Sequence, residues 1–274
     1  MGIHLAAQEF VALTNSVVQA SDPRVRRALL RIEPLAREKL EHASAESHEF
    51  FQRIGEGLLR LRGYAQADLR TSCLQACGYY LFLTGRAPEA FTFAEQGLEL
   101  ARRSSRPFEA RLFHTLLGAL LGEVGATTEA IQNHQRALEL SIQLSDEQGE
   151  IICWNNLSAL LLDVGMYVEA ISAAKRALSL LDGIAVDSKE HRARSETNLA
   201  LALHRLGELD RALEYALKSI LHSSVPQTGR QAQGKIIREC NLAGIYLDLG
   251  DIRHAREHAA AAIALAKHYP NDRS

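Results

Sequence analysis

Small, large apolar and polar residues recur in the same order five times along the chain. Each copy has a glycine, and successive glycines lie 40, 40, 42 and 43 residues apart. A small residue stands seven positions before each glycine, a large apolar residue four before it, and an alanine five after it. The glycines are Gly85, Gly125, Gly165, Gly207 and Gly250, and the alanines are Ala90, Ala130, Ala170, Ala212 and Ala255.

Each of these positions has a role in a pair of antiparallel helices. The glycine supplies the left-handed residue that ends the first helix and opens a tight turn. The small residues let the two helices approach closely, and the large apolar residues fill the space between neighbouring pairs. One pair cannot bury its apolar faces alone, so the pairs must stack. The sequence therefore predicts an all-α fold, and β-branched residues are too few for a sheet protein.

The third copy carries the residues that suggest a family. Its signature positions are Trp154, Leu157, Ser158, Leu161, Gly165, Ala170 and Ala177. This pattern resembles the tetratricopeptide repeat over about 65–268, with a period longer than the usual length of about 34 residues. It is similar to the extended repeats of kinesin light chains and bacterial signalling proteins. The resemblance implies a right-handed α-α superhelix, or solenoid, of about five helix pairs over residues 64–274. The pairs are expected at about 65–104, 107–145, 147–182, 188–222 and 229–268.

Residues 1–63 do not follow the repeat. They contain about three amphipathic helices, punctuated by Ser21–Asp22–Pro23 and by Pro34. We interpret them as an N-terminal helical cap with one degenerate repeat.

Helix starts farther along the chain agree with this phasing. Ser145 with Gln148, and more loosely Asp187 with Glu190, are spaced like capping boxes. Longer connections are expected at 182–188 and 222–230.

The last predicted helix has an unusual outer face. Terminal repeats usually present polar residues to solvent, but this helix contains AAAAIALA at 259–266. We expect this face to pack against a second copy of the chain, as a homodimer, or against a further helix or domain.

Composition narrows the classes of partner. The chain has 31 Lys and Arg against 33 Asp and Glu, so it lacks the basic excess of a nucleic-acid or membrane-surface binder. No apolar run approaches the roughly 18 residues that span a bilayer, and MGIHLAAQEF lacks the features of a secretory signal. The four cysteines are read as reduced residues of helices. A cytoplasmic location is expected.

No catalytic motif is present. The sequence lacks a phosphate-binding GxxxxGK[ST], a GxSxG elbow, an HExxH zinc motif and a GxGxxG loop. His254 and His258 stand four apart but have no third ligand, and they are expected to be exposed. We therefore predict a non-enzymatic protein without metal or cofactor.

The candidate site is the concave groove that the resemblance implies along the first helix of each pair. Nine residues before the turn glycine stand Asn156, Asn198 and Asn241, and Asn155 stands ten before it. An amide offers one acceptor and two donors, which match the alternating carbonyl and amide groups of an extended peptide. In related proteins such asparagines bind the ligand backbone, although an asparagine here can also bond to the neighbouring repeat. The predicted groove residues are Ile152, Asn155, Asn156, Arg194, Asn198, Leu201, Arg205, Ile237 and Asn241.

Two functions fit this sequence. The first is a protein- or peptide-recognition scaffold, with Arg194 and Arg205 favouring a ligand that carries an acidic group. The alternative is a sensory or oligomerisation module of a larger bacterial signalling protein, such as a diguanylate cyclase or a transcription regulator.

Overall fold

The computed structural model describes residues 2–16, 19–40, 45–183, 188–226 and 229–269. These residues form thirteen α-helices. The helices are α1 (Gly2–Ser16), α2 (Pro23–Lys39), α3 (Ala45–Arg60), α4 (Ala67–Leu83), α5 (Ala87–Arg103), α6 (Pro107–Glu123), α7 (Thr127–Gln143), α8 (Glu147–Asp163), α9 (Tyr167–Gly183), α10 (Lys189–Arg205), α11 (Leu209–His222), α12 (Gly229–Asp248) and α13 (Ile252–His268). The chain divides into two compact units, Met1–Leu144 and Ser145–Ser274.

The five turn glycines have the conformation that the sequence predicted. Each separates the two helices of a pair and has a φ between 77° and 79°. A side chain is strained in this left-handed region, so glycine is favoured there. The alanine that follows each glycine by five residues is buried in every copy. The repeated helix pairs are therefore confirmed as local structure.

Close approach within a pair explains the small residues seven positions before the glycines. A Cβ added to Gly118 would lie 2.6 Å from Nε2 of His134 on the second helix of the same pair. In the next pair, the Ser158 hydroxyl donates a hydrogen bond to the Ala170 carbonyl at 2.9 Å. A larger residue at either position would push the two helices apart.

The first unit begins with an arrangement unlike the later pairs. Helix α1 packs against both α2 and α3, and α4 packs against α2, α3 and α5. The prediction that Pro34 interrupts a helix is wrong, because α2 continues through it. Proline removes the hydrogen bond to the carbonyl four residues earlier. That residue is Leu30, which is 50% exposed, and water can reach this side of the helix.

The second unit consists of the pairs α8–α9, α10–α11 and α12–α13. The first helices also contact one another, α8 with α10 and α10 with α12. We call the surface formed by these three first helices the inner wall.

Two details of the helix starts differ from the sequence prediction. The cap of α8 is Asp146 rather than Ser145, and its carboxylate accepts a hydrogen bond from the Gly149 amide at 2.9 Å. Ser145 is instead a left-handed residue with a φ of 55°. Asp187 lies outside the described residues, and α10 begins after Ser188.

Helix α13 combines an exposed apolar face with a partly buried polar one. Ile263 is 57% exposed. His254 and His258 were expected to be exposed, but both are half-buried and stack against Tyr246 of α12. His258 Nδ1 lies 2.8 Å from the Glu239 carboxylate, and His254 Nδ1 lies 2.6 Å from that of Asp251. The packing of α13 on α12 explains this burial.

Candidate functional site

The predicted groove residues all lie in the second unit and on the three helices of the inner wall. Ile152, Asn155 and Asn156 are on α8, Arg194, Asn198, Leu201 and Arg205 on α10, and Ile237 and Asn241 on α12. The repeat places them there because each stands a fixed number of residues before a turn glycine. The structure distinguishes them by burial and by hydrogen bonding.

Asn155 is tied into the junction between α8 and α10. Its side chain is 2% exposed. The Ser195 hydroxyl donates to Asn155 Oδ1 at 2.7 Å, and Asn155 Nδ2 donates to the His191 carbonyl at 3.3 Å. Both ends of the amide are therefore paired with groups of the next repeat. This pairing outweighs the low helix propensity of asparagine.

Asn198 extends the same network from the other helix. Its Nδ2 donates to the backbone carbonyl of Asn155 at 3.0 Å. Asn155 and Asn198 thus form reciprocal links between α8 and α10. In this structure both amides bond to the neighbouring repeat, as the sequence allowed.

Asn156 and Asn241 differ from these two residues. Both are half-buried. Among the described residues, no hydrogen bond forms to the amide of Asn156. The Nδ2 of Asn241 is fully buried and has no hydrogen-bond partner within the described part of the chain. A buried donor without a partner costs about 1–3 kcal/mol, so Asn241 marks a polar position that the fold itself leaves unsatisfied.

Arg238 links α10 and α12. Its side chain is 3% exposed. The guanidinium pairs with the carboxylate of Glu190, and its Nε donates to the Thr197 hydroxyl at 3.3 Å. Sequence reasoning missed this residue. The signal was present, since the position twelve residues before the glycine holds Cys73, Phe113, Cys153 and Ser195 in the other copies. The residues at this position in the other copies are buried and uncharged, so an arginine there needs a partner for its charge.

Apolar and charged side chains surround the amides. Ile152 and Leu201 are half-buried, and Ile237 is 49% exposed. Arg194 and Arg205 are exposed on α10. Both arginines of the predicted set therefore lie on the same helix as Asn198.

Two histidines lie near the inner wall. Burial lowers the pKa of His191, and the charge of Arg194 lowers it further. His191 is therefore neutral at pH 7, and its carbonyl accepts from Asn155. At the far end of α10, His204 Nε2 lies 2.7 Å from the Asp248 carboxylate of α12.

The described residues were also searched for metal sites and for membrane-spanning helices. They contain no group of three His, Cys, Asp or Glu side chains placed to hold a metal ion. None of their helices is both long and apolar enough to cross a membrane.

The sequence of one region matches a known family. Residues 108–182 match the tetratricopeptide repeat, and this segment includes the pairs α6–α7 and α8–α9. The other pairs share its turn glycine and alanine. The match covers these two pairs, and the described chain has a helical repeat fold of the tetratricopeptide type. A comparison with curated protein sequences finds no match.

Solved structures share the fold of these tetratricopeptide repeats at low identity. A Rap protein complexed with competence and sporulation factor has a TM-score of 0.72 and 14% identity, over 98% of this chain and 78% of that one. NprR in complex with its cognate peptide NprX has a TM-score of 0.70 and 14% identity, over 89% and 68%. BtubC from P. vanneervenii has a TM-score of 0.60 and 18% identity, over 89% and 94%. At such identities the likeness shows the helical solenoid fold alone.

Proposed function

We propose that the second unit is a non-enzymatic recognition scaffold that binds an extended peptide along the inner wall. The tetratricopeptide fold supports a protein- or peptide-binding role. Rap and NprR, which share this fold, were solved with a sporulation factor and a peptide.

The buried and unpaired Nδ2 of Asn241 carries this proposal. Rotation of the half-buried Asn241 side chain about its Cβ–Cγ bond would turn this nitrogen from its buried position toward the surface of the inner wall. A peptide carbonyl that accepts from it there would satisfy a donor that the free protein leaves without a partner. The gain is larger than for an exposed amide, because an exposed amide already bonds to water. Asn156 is the second amide available to a ligand, whereas Asn155 and Asn198 hold the wall in shape.

Hydrogen bonds alone would not hold the peptide. Each contributes about 0.5–1.5 kcal/mol, whereas micromolar binding needs about 8 kcal/mol. Apolar ligand side chains on Ile152, Leu201 and Ile237 would supply the remainder. Arg194 and Arg205 favour a ligand with an acidic group beside α10.

A displayed library of random heptapeptides tests the proposal. We expect the full chain to enrich a sequence that contains apolar residues and at least one acidic residue. The fluorescein-labelled peptide should bind the Asn241→Ala variant about tenfold more weakly than the parent chain. This corresponds to a loss of about 1.4 kcal/mol in binding free energy. Asn15→Ala, which changes an exposed asparagine of α1, is the control and should bind normally. No enrichment, or equal affinity for Asn241→Ala and the parent chain, would contradict the proposal.

Exposed apolar residues on α11 and α13, the second helices of the last two pairs, favour a second candidate function. This candidate is an oligomerisation module of a signalling protein. Leu221 of α11 is 78% exposed and Ile263 of α13 is 57% exposed. Light scattering coupled to size exclusion tests for a homodimer through α13. A dimer that Ile263→Glu converts to monomer would support it, and a monomer at all concentrations would exclude self-association through this face.

A further inference from the structure

A pocket of about 670 Å³ lies in the first unit. It is bounded by the end of α5, the turn that joins α5 to α6, the start of α6 and the second half of α7. We call it the arginine pocket, because Arg102, Arg106 and Arg136 all line it. Ala101, Ala110 and Leu140 provide an apolar wall.

The three guanidinium groups are not equally compensated. Arg106 donates from Nε to the Glu109 carboxylate at 2.9 Å, and Arg136 pairs with Glu139 at 2.7 Å. Within the described residues, Arg102 has no carboxylate partner. Its guanidinium lies 3.3 Å from Nε2 of His114 instead. Three positive groups against two carboxylates leave about one net positive charge in the pocket.

His114 holds Arg102 in place. The imidazole is 6% exposed, and its Nδ1 lies 2.8 Å from Oδ1 of Asn133. The amide of Asn133 is itself oriented, because its Nδ2 donates to the Glu129 carbonyl at 3.0 Å. Oδ1 can only accept, so the proton of His114 lies on Nδ1, and Nε2 is left to accept from Arg102. Burial lowers the pKa of His114, and the charges of Arg102 and Arg136 act in the same direction. The imidazole is therefore neutral at pH 7, as this relay requires.

The repeat does not require these residues. Arg102 and Arg106 follow the turn glycine by 17 and 21 residues, and the same positions in the next copy hold Ile142 and Asp146. His114 stands eleven before its glycine, where the other copies have Leu74, Trp154, Glu196 and Glu239. A packing role would recur with the repeat, whereas this set occurs once.

We propose that the arginine pocket binds a carboxylate attached to a short apolar body, with Arg102 as the principal contact. The guanidinium presents a planar pair of donors that matches a carboxylate. One net positive charge matches a monoanion, whereas a phosphate dianion would remain undercompensated. The apolar wall of Ala101, Ala110 and Leu140 suits an aliphatic chain. A free organic acid and an acidic side chain of a bound protein share this chemistry.

Titration of the full chain with small probes tests the proposal. The probes are hexanoate for a free acid, N-acetylglutamate α-methylamide for an acidic side chain, inorganic phosphate, and hexanamide as the neutral control. The arginine Nε–Hε resonances report binding. We expect a saturable shift of Arg102 with at least one carboxylate and no shift with hexanamide. The stronger of the two carboxylates identifies the source of the ligand.

Variants decide whether the pocket is responsible. Arg102→Ala should weaken binding about tenfold, as for loss of one charge-assisted pair, and Arg136→Ala should weaken it less. The matched control is Arg103→Ala, because Arg103 is adjacent in sequence but pairs with Glu99 and Tyr64 outside the pocket. The proposal is overturned if no carboxylate saturates, if phosphate binds more tightly than both carboxylates, or if Arg103→Ala loses as much affinity as Arg102→Ala.

Discussion

The two junctions of the inner wall place different groups at equivalent positions of the repeat. Between α8 and α10, Asn155 pairs with Ser195 while Asn198 donates to the Asn155 carbonyl. Between α10 and α12, the positions equivalent to Asn155, Ser195 and Asn198 hold Thr197, Arg238 and Asn241. The first junction joins the neutral side chains of Asn155, Ser195 and Asn198 by hydrogen bonds. The second uses a buried guanidinium and leaves the Asn241 amide nitrogen without a partner.

This difference shows that equivalent asparagines need not share a role. Asn198 and Asn241 both stand nine residues before a turn glycine. One closes a hydrogen-bond network of the fold, and the other has a buried donor without a partner among the described residues. The neighbouring repeat, rather than the position itself, decides between the two roles.

The largest effect is expected from Asn155→Ala. This change removes the acceptor of the Ser195 hydroxyl and the donor to the His191 carbonyl in a buried site, at a cost of about 1–3 kcal/mol. Urea unfolding of the full chain measures it. The adjacent Asn156→Ala is the matched control, because this half-buried amide makes no hydrogen bond with the described residues, and its cost should stay within about 0.5 kcal/mol. Equal costs for both variants would mean that the network does not stabilise the junction.

Arg238→Met should have the next largest effect. Methionine keeps most of the apolar packing of the arginine stem but loses the bonds to Glu190 and Thr197. Glu190 is 44% exposed and can be hydrated, so the expected loss is about 1–2 kcal/mol. Urea unfolding at low and high salt measures it. A stability that is unchanged would show that the second junction does not depend on this ion pair.

Acid should weaken the first junction through His191. Its pKa is lowered from the ordinary 6.5 by burial and then by Arg194, with Glu190 opposing. The unfolded chain therefore binds a proton more readily than the folded chain. The stability due to this group is complete above pH 6.5 and is lost as the pH falls through the lowered pKa, with a slope of at most about 1.4 kcal/mol per pH unit.

Unfolding from pH 7.5 to pH 5 measures this slope in the parent chain and in His191→Gln. The free energy of unfolding of the variant should depend less steeply on pH than that of the parent chain. Identical pH profiles would show that His191 does not contribute to the acid sensitivity.

The smallest effect on the free protein is expected from Asn241→Leu. The substitution replaces a buried donor without a partner by an apolar group of similar size. Stability should be unchanged or higher by up to about 1 kcal/mol. Asn198→Leu is the control at the equivalent position and should lose about 1 kcal/mol. A clear loss for Asn241→Leu would indicate that its amide already has a partner in solution.

The sequence predicted the helix pairs because each depends on a short-range requirement that recurs. Gly165 needs a left-handed backbone and Ala170 a close contact, and both requirements are visible in the residue type. The position of Asn155 on the first helix of its pair follows from the same phasing. Its partners were not predictable, because Ser195 and His191 lie about 40 residues away and their pairing depends on how two helices pack. Arg238 was missed because its partner Glu190 is equally remote.

Side-chain amide NMR of the asparagines, with and without the selected peptide, tests the central claim most directly. We predict that the Nδ2 hydrogens of Asn155 and Asn198 exchange slowly in the free protein and keep their chemical shifts when the peptide binds. The Asn241 signal should move downfield on binding, as its nitrogen gains a carbonyl acceptor. A peptide that shifts Asn155 and Asn198 and leaves Asn241 unchanged would contradict the proposal that Asn155 and Asn198 hold the wall while Asn241 binds the ligand.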